Sequence, residues 1–452
     1  MRRAQPLLLL FVLLSVVYHS NLRPVASGDS LPAALIPFAI CLDGTVHLDR
    51  FGPWIDEHIS YGPTVVRKSG GHWYSIYPIA GPVLVSPLYL PLALMPSVRE
   101  QAPGTLIAIA RVAEKLTAVL LAAASAVALF GLLRRLTTRR ACWILTIVFA
   151  LGTVNWSTSS QALWQHTFSA LPIIGCLYAV DLWDGARPRW DWIAGVCAGL
   201  ALAIRPTNVA MLPALMLALW VIGARTLAWF RVFVPAAAAA ALTVAYNLHA
   251  FQSVTGGYPA RLGGDWIEGL AGILVSPGRG LLLYTPVTLF ALCAFSARAR
   301  ESRMRHRPLI AASAVFVLAD VALVAKWPVW WGGYCWGPRL LTEVCAPIMV
   351  LIAAGWASLG SPVWRWSFAA AALYGCLIQA AGVYCYPKGR WDAAPVSVNE
   401  APARLWDWAD NPIGRTVQGG VVWEPYAIVT AGMKGGPPAA AAKLKELGIN
   451  AY

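Results

Sequence analysis

Charged residues are scarce in this sequence. Asp, Glu, Lys and Arg make up 12% of the 452 residues, whereas a soluble domain carries about 25%. Hydrophobic residues account for 58%, and a soluble fold of this composition could not cover itself with polar surface. In a bilayer the lipid takes the place of water around the apolar side chains. The composition therefore predicts an integral membrane protein.

Among the charged residues the acidic ones are in the minority, with 21 Asp and Glu against 35 Lys and Arg. The arginines gather in short runs between apolar stretches, notably at 134–140 and 298–307. Lys and Arg resist translocation, so such runs mark cytoplasmic loops. We interpret the basic balance as a topology signal and expect no nucleic-acid partner.

Metal and redox motifs are also missing from the sequence. The nine cysteines form no CxxC pair, and a disulfide among the outward-facing Cys41, Cys335 and Cys385 is unsupported by spacing. His72 and His166 have no second His or carboxylate at ligand spacing. The sequence predicts neither a metal nor another cofactor.

Long apolar stretches predict an all-α fold, a polytopic bundle of about eleven membrane segments. Arg2 and Arg3 precede an apolar run that ends at Tyr18. This run could be a signal peptide, but no clean cleavage site follows, which favours a retained first helix with a cytoplasmic N-terminus. The predicted segments are 6–22, 106–133, 141–157, 167–184, a hairpin or broken pair over 191–222, 232–250, 281–296, 308–325, 340–357 and 366–384.

Two regions follow from this topology. Residues 1–385 form the transmembrane domain, including a first outer loop with short helices at 23–105, and residues 386–452 form an extracytoplasmic tail. The apolar, proline-rich stretch 77–96 is ambiguous. If it spanned, the arginines at 134–140 would lie outside, so we expect a kinked element on the outer side.

Polar and aromatic residues are concentrated in four clusters on the predicted outer face: 27–32, 70–78, 276–280 and 330–339. They combine one acid with arginines, aromatics and glycines. Arginine binds phosphate in a fixed bidentate geometry, and glycine lets the backbone approach a ligand closely. The clusters predict a site for a lipid-linked phosphate and a sugar.

Five runs within residues 1–385 carry a resemblance: GDSLPA, GHWYSIYP, RPTN, SPGRGLLLYTPV and WWGGYCWGPRLL. They resemble a bacterial set of GT-C-type glycosyltransferases related to protein O-mannosyltransferases and aminoarabinose transferases. The resemblance implies a multi-pass protein of the bacterial cytoplasmic membrane. It also implies inverting transfer from a polyprenyl-phosphate sugar to a lipid, glycan or protein acceptor at the outer face.

In that set an acid shortly after the first helix acts as general base, and Asp29 occupies this position. Arg279 and Arg339 are our first choices at the leaving phosphate, followed by Arg111 and Arg261. Further substrate contacts are expected from His72, Tyr74, Tyr77, His166, Tyr284 and Trp331. Ser30 and Tyr77 depart from the pattern, since relatives often carry an acid and a basic residue there; Lys68 or His72 would then contact the phosphate.

Simpler interpretations stand beside these. Asp29 could cap the helix that follows it, the two arginines could be interfacial anchors, and the tryptophans could form an aromatic belt. Asp320 and Glu343 lie in or near apolar segments, where acids are usually functional or paired. Rival functions are a ligase using a lipid-diphosphate glycan, a structural subunit, and a transporter or flippase, although no internal repeat is visible.

Overall fold

A computed structural model of the chain describes residues 5–58, 65–183, 187–257, 262–387 and 391–423, and the single positions 426, 431, 439, 442, 443 and 446. Helices account for 73% of the structure and strands for 2%. The prediction of a helical fold is confirmed. The prediction that the fold is purely α-helical is wrong in one place, a short β-hairpin.

The α-helices up to residue 204 are, in chain order, α1 (Gln5–His19), α2 (Leu31–Asp43), α3 (Gly52–His58), α4 (Ala80–Ala93), α5 (Pro96–Arg99), α6 (Pro103–Leu136), α7 (Arg139–Leu151), α8 (Gln165–Asp181) and α9 (Arg189–Ile204). The later ones are α10 (Met211–Val221), α11 (Thr226–Phe251), α12 (Trp266–Val275), α13 (Leu281–Tyr284), α14 (Arg300–Arg305), α15 (Arg307–Ala325), α16 (Cys345–Ala354), α17 (Pro362–Tyr384) and α18 (Pro412–Gly419). Short 3-10 turns include Gly28–Ser30, Asp49–Phe51, Pro206–Ala210, Pro286–Phe295 and Arg339–Val344.

Four of the described helices are long and apolar enough to cross a membrane: α6, α11, α15 and α17. Most of the apolar surface of α11 is exposed, including Leu227, Phe230 and Leu242. An exposed apolar face of this extent is typical of contact with lipid. The helices thus indicate a membrane protein, while the number of eleven segments stays a prediction.

Several apolar stretches of the sequence are divided into two helices at a proline. The stretch 191–222 divides into α9 and α10 at Arg205, which precedes Pro206 and has an extended backbone with φ −146° and ψ 118°. A residue before proline disfavours the helical region, which explains the break. The Ala201 carbonyl accepts the Arg205 N–H at 3.0 Å, and Asn208 Nδ2 donates a second hydrogen bond to it at 2.8 Å.

The hairpin pairs β1 (Val66–Ser69) with β2 (His72–Ser75) in the loop for which we predicted only short helices. Gly70 and Gly71 form its turn with φ of 56° and 90°. Two consecutive residues with positive φ are typical of the tight turns that join antiparallel strands, and glycine adopts them without steric cost.

The two ends of α6 lie at opposite ends of the bundle. Near its start, Arg111 donates to Ser30 Oγ at 3.1 Å. Near its end, Arg135 pairs with Asp181, which also accepts from His306 at 2.6 Å. The arginine-rich turns at 134–140 and 298–307 thus meet at one end. Helical rise separates Arg111 from Arg135 by about 36 Å, slightly more than the roughly 30 Å of a hydrocarbon core.

Candidate functional site

A cavity of about 180 Å³ opens beside the first loop at the Arg111 end of the bundle. It lies between the 3-10 turn Gly28–Ser30, the start of α8, the break between α9 and α10, and the turn that begins at Arg339. The lining residues are Asp29, Ile76, Tyr77, Pro78, Trp164, Gln165, His166, Arg205, Pro206, Thr207, Thr243, Asn247, Thr255, Leu323, Val324, Trp327, Arg339 and Leu340.

Asp29 presents its carboxylate to this cavity. Its Oδ1 accepts the Tyr77 hydroxyl at 2.8 Å, and its Oδ2 accepts Arg339 Nη1 at 2.9 Å. The side chain is 36% exposed, so it is held in place and still open to a ligand. Ser27, rather than Asp29, caps the 3-10 turn, because its hydroxyl accepts the Asp29 N–H at 3.2 Å. Each carboxylate oxygen has a second lone pair and can accept a further hydrogen bond.

A buried ion pair fixes the backbone on either side of Asp29. Arg111 bonds the Ser30 hydroxyl and the Ser27 carbonyl, and its Nη1 donates to Glu114 at 2.7 Å. The second Glu114 oxygen accepts the Leu163 N–H at 3.0 Å. Arg111 does not line the cavity. Together with Glu114 it connects the Asp29 turn to the segment that carries Trp164 and His166, and so it positions the site.

Arg339 lines the cavity next to Asp29. Its Nη2 donates to the Gly332 carbonyl at 2.7 Å, and its guanidinium lies 4.2 Å from the centroid of the Trp164 ring. Its buried Nε has no hydrogen-bond partner among the described residues. Gly332 and Gly333 adopt φ of 72° and 67°, a conformation that returns the loop on itself and is strained for other residues.

Arg279, our other choice for the phosphate, lies outside this cavity. It is 1% exposed and donates to the carbonyls of Trp331 at 3.0 Å and Gly333 at 2.9 Å, while pairing with Asp392. Asp392, which pairs with Arg279, lies in the segment 391–423 near the C-terminal end of the described chain. Arg279 supports the loop that leads to Arg339 and is not among the residues that line the Asp29 cavity.

Tyr284 and Trp331 are likewise part of this support. The Tyr284 hydroxyl donates to the Gly278 carbonyl at 3.1 Å and its ring packs against Trp336, with centroids 5.5 Å apart. Trp331 is buried and its indole donates to Asn399 at 2.9 Å. Neither residue lines the Asp29 cavity, and a substrate contact for either one stays a prediction.

Glu343 holds two cavity residues together. Both of its oxygens lie within 3.0 Å of His166 Nδ1, and Arg205 Nη1 lies 2.5 Å from its Oε2. Burial lowers the pKa of His166 to about 4 against the smaller opposing effect of Glu343, so the imidazole is neutral at pH 7. Its Nδ1–H then donates to Glu343, which leaves Nε2 as the acceptor nitrogen.

Arg205, Trp164 and Asn247 are cavity residues that we did not predict as site residues. The sequence did contain an indication for Arg205. A charged residue in the middle of an apolar stretch is energetically costly, so it is usually paired or functional. Asn247 lies in α11 and gave no comparable signal. Asp320, another buried acid, has no hydrogen-bond partner for either oxygen among the described residues.

His72 and Tyr74 line a second cavity, of about 610 Å³, on the far side of the hairpin. The structure therefore divides the predicted set. Asp29, Tyr77, His166 and Arg339 come together, His72 and Tyr74 lie beside them on the hairpin, and Arg279, Tyr284 and Trp331 lie behind the loop. Arg261 lies outside the described residues, and Lys68 projects from β1 with its Nζ 5.5 Å from the Trp73 ring.

No protein-family model, curated protein or solved structure matches the chain. A functional assignment therefore depends on the chemistry of the cavity: one exposed carboxylate, two guanidinium groups, a neutral imidazole, and tryptophan and tyrosine side chains within one partly enclosed volume.

Proposed function

We propose that the protein is a membrane glycosyltransferase that moves a sugar from a polyprenyl-phosphate donor to an acceptor hydroxyl with inversion. The observation that carries the proposal is the placement of Asp29, a partly exposed carboxylate oriented by Tyr77 and Arg339 on the wall of a small cavity. A carboxylate within hydrogen-bond reach of a hydroxyl can act as its general base.

The reaction needs one proton transfer and one displacement. The acceptor oxygen attacks the anomeric carbon while its proton passes to Asp29. The bond between that carbon and the phosphate oxygen breaks, its electron pair stays on the oxygen, and polyprenyl phosphate leaves. Attack opposite the leaving group inverts the anomeric configuration, and Asp29 later releases its proton to water.

Arg205 and Arg339 are the groups best placed to stabilise the charge that develops on the phosphate. Both guanidinium groups line the cavity and are nearly buried. A fixed cation in a site with little water stabilises developing charge more than it would in solvent. The role that we first assigned to Arg279 passes in this proposal to Arg205.

The position of the cavity suits a lipid-linked donor. It lies at the end of α6 opposite the arginine-rich turns, at a distance close to the thickness of a bilayer core. By the positive-inside rule those turns are cytoplasmic, so we place the cavity at the outer face of a bacterial cytoplasmic membrane. In the same proposal the N-terminus is cytoplasmic and the C-terminus extracytoplasmic.

The size of the cavity favours a single sugar over a large glycan. Its volume of about 180 Å³ is below the range of about 300–1,000 Å³ of pockets for drug-sized ligands. A ligase that moves an assembled oligosaccharide from a lipid diphosphate would need more space beside the base.

The test compares lipid-linked sugars and envelope glycans by mass spectrometry in cells with the wild-type protein, without it, and with Asp29→Asn. We expect Asp29→Asn to match the deletion, with one polyprenyl-phosphate sugar accumulating and one glycan losing that sugar. Asp43→Asn is the matched control, because Asp43 lies in the same loop and pairs with Arg50 near the surface.

Wild-type glycans in the Asp29→Asn strain, at normal protein level, would contradict the proposal. A deletion phenotype in which a lipid-linked compound stays on the cytoplasmic leaflet, and is rescued by Asp29→Asn, would favour a flippase instead.

A further inference from the structure

Three side chains that could bind a metal converge in the first loop, away from the Asp29 cavity. His47 and Asp49 lie between α2 and α3, and His72 begins β2. One ligand atom from each lies within 4.8 Å of the others. Sequence spacing did not predict this group, because the loop and the hairpin bring residues together that lie far apart along the chain.

The geometry around Asp49 Oδ2 is unusual for a set of simple hydrogen bonds. This one oxygen lies 2.5 Å from His72 Nδ1 and 3.1 Å from His47 Nδ1. The His47 nitrogen is buried, yet it has no hydrogen-bond partner of acceptable geometry among the described residues. The two imidazole rings are 4.4 Å apart. Two nitrogens and one carboxylate oxygen thus lie within 4.8 Å of one another.

Surrounding hydrogen bonds hold this group in place. Asp49 Oδ1 accepts the Trp73 N–H at 2.8 Å, and the Trp73 carbonyl accepts the Leu48 N–H at 2.7 Å. The His47 N–H donates to Thr45 Oγ1 at 3.2 Å. Metal ligands are commonly oriented by such partners, which fix the ring and carboxylate positions before the metal arrives.

We infer that His47, Asp49 and His72 bind a divalent transition metal ion, with Zn²⁺ as the best match. The ligands are Nδ1 of both histidines and Oδ2 of Asp49. Two imidazoles favour zinc over Mg²⁺ and Ca²⁺, which prefer oxygen. Three protein ligands leave one tetrahedral position for water or another ligand. The adjoining cavity of about 610 Å³, lined also by Tyr74, Tyr246 and His249, gives access to it.

Among the residues that the structure describes, none lines both cavities, so this site is separate from the proposed sugar-transfer site. Its direct effect is to join the segment before α3 to the hairpin whose far strand leads to Tyr77. Zinc that binds the folded protein stabilises it in proportion to the logarithm of its concentration over Kd.

The experiment measures zinc in the purified full-length protein, which is prepared in detergent without a histidine tag, stripped with chelator, and then incubated with Zn²⁺ before desalting. We expect about one tightly bound Zn²⁺ per chain by mass spectrometry of the metal after desalting, a rise in the apparent melting temperature, and tetrahedral absorption bands when Co²⁺ is substituted. His47→Ala, Asp49→Asn and His72→Ala should each weaken zinc binding at least about tenfold.

His19→Gln is the matched control, because His19 contacts Tyr426 elsewhere in the protein and its loss should leave zinc binding unchanged. Asp29→Asn should also keep its zinc, whether or not it transfers sugar, so the two proposals fail independently. Wild-type protein that binds no zinc would overturn the inference. The inference would also be overturned if the His47, Asp49 and His72 variants kept full zinc affinity while matching the wild-type elution volume and melting temperature. A preference of the wild-type protein for Mg²⁺ or Ca²⁺ over Zn²⁺ would overturn it as well.

Discussion

Buried charges in this protein connect loops that are distant in sequence. Arg205 with Glu343 and Arg279 with Asp392 are nearly inaccessible ion pairs of this kind. Arg111 and Glu114 form a third buried pair within α6, and their further hydrogen bonds reach Ser27, Ser30 and Leu163. Such pairs contribute little net stability, because desolvation offsets their attraction, but removing one partner leaves a buried charge and is strongly destabilising. We attribute to them the fixed positions of Asp29, His166 and Arg339 around the cavity.

The lowered pKa of His166 predicts that the stability of the protein depends on pH. Its pKa in the folded protein, lowered by burial to about 4, lies below its ordinary value of 6.5. The unfolded chain therefore takes up the proton first as the pH falls, and stability is lost below about pH 6.5. Between pH 7 and pH 5 this group alone should cost about 2 kcal/mol.

The measurement is the apparent melting temperature in detergent at both pH values, for wild type and His166→Gln. The variant should be less stable at pH 7 but should show a smaller loss on acidification. An equal loss in both proteins would contradict a depressed pKa at His166.

At the residue scale, chemistry made some site residues predictable. Asp29 stands out because acids are rare and it follows the first helix, and Arg339 lies among glycines and tryptophans that favour a ligand site. Arg279 has the same surroundings in sequence, but its partner Asp392 is far along the chain, and no local pattern separates an arginine that faces a cavity from one that supports a loop.

Close helix packing is the main requirement at the scale of elements. Gly195 and Gly199 lie one turn apart on α9 and face the backbone of α11. A Cβ at Gly199 would lie 2.9 Å from the Pro235 carbonyl oxygen, and one at Gly195 would lie 2.8 Å from that of Arg231. Small residues at this spacing let two helices approach closely within a membrane.

We predict that Gly199→Leu separates α9 from α11 and destabilises the protein by at least about 1–3 kcal/mol. Because α9 ends at Arg205, activity should fall as well. Gly131→Ala in α6 is the control: its nearest neighbour would be Tyr178 at 3.8 Å, so it should be neutral or stabilising by up to about 1 kcal/mol. Melting temperatures in detergent compare the two, and equal effects would argue against close packing here.

Helices were easier to predict than the hairpin for a physical reason. The apolar stretches at 106–133, 232–250, 308–325 and 366–384 all lie within single long helices of the structure, since their length and composition leave few alternatives. The hairpin lies in a loop of mixed polarity, where the pair Gly70-Gly71 was the sequence feature that favours a tight turn. Whether strands form on either side of it depends on their pairing with each other. The break at Pro206 followed directly from proline chemistry. The segment 281–296, which we predicted as one helix, is instead divided at Pro286 between α13 and a 3-10 helix.

In the topology that we propose for the whole molecule, the arginine-rich turns and the Asp29 cavity lie on opposite sides of the membrane. Asp56 and Arg140 are exposed reporters near the two ends. In intact cells an impermeant maleimide should label Asp56→Cys above the background of the parent chain, whereas Arg140→Cys should react only after permeabilisation. The reverse pattern would place the cavity in the cytoplasm and remove the basis for an outer-face reaction.

The central claim is that Asp29 is the base for sugar transfer, and it is tested most directly with purified protein in liposomes. Once the donor has been identified in cells, transfer rates are measured for wild type, Asp29→Asn and Asp43→Asn with matched donor and acceptor. The account predicts that Asp29→Asn lowers the rate by at least about a hundredfold, while Asp43→Asn retains it. Full activity in a folded Asp29→Asn protein would contradict it.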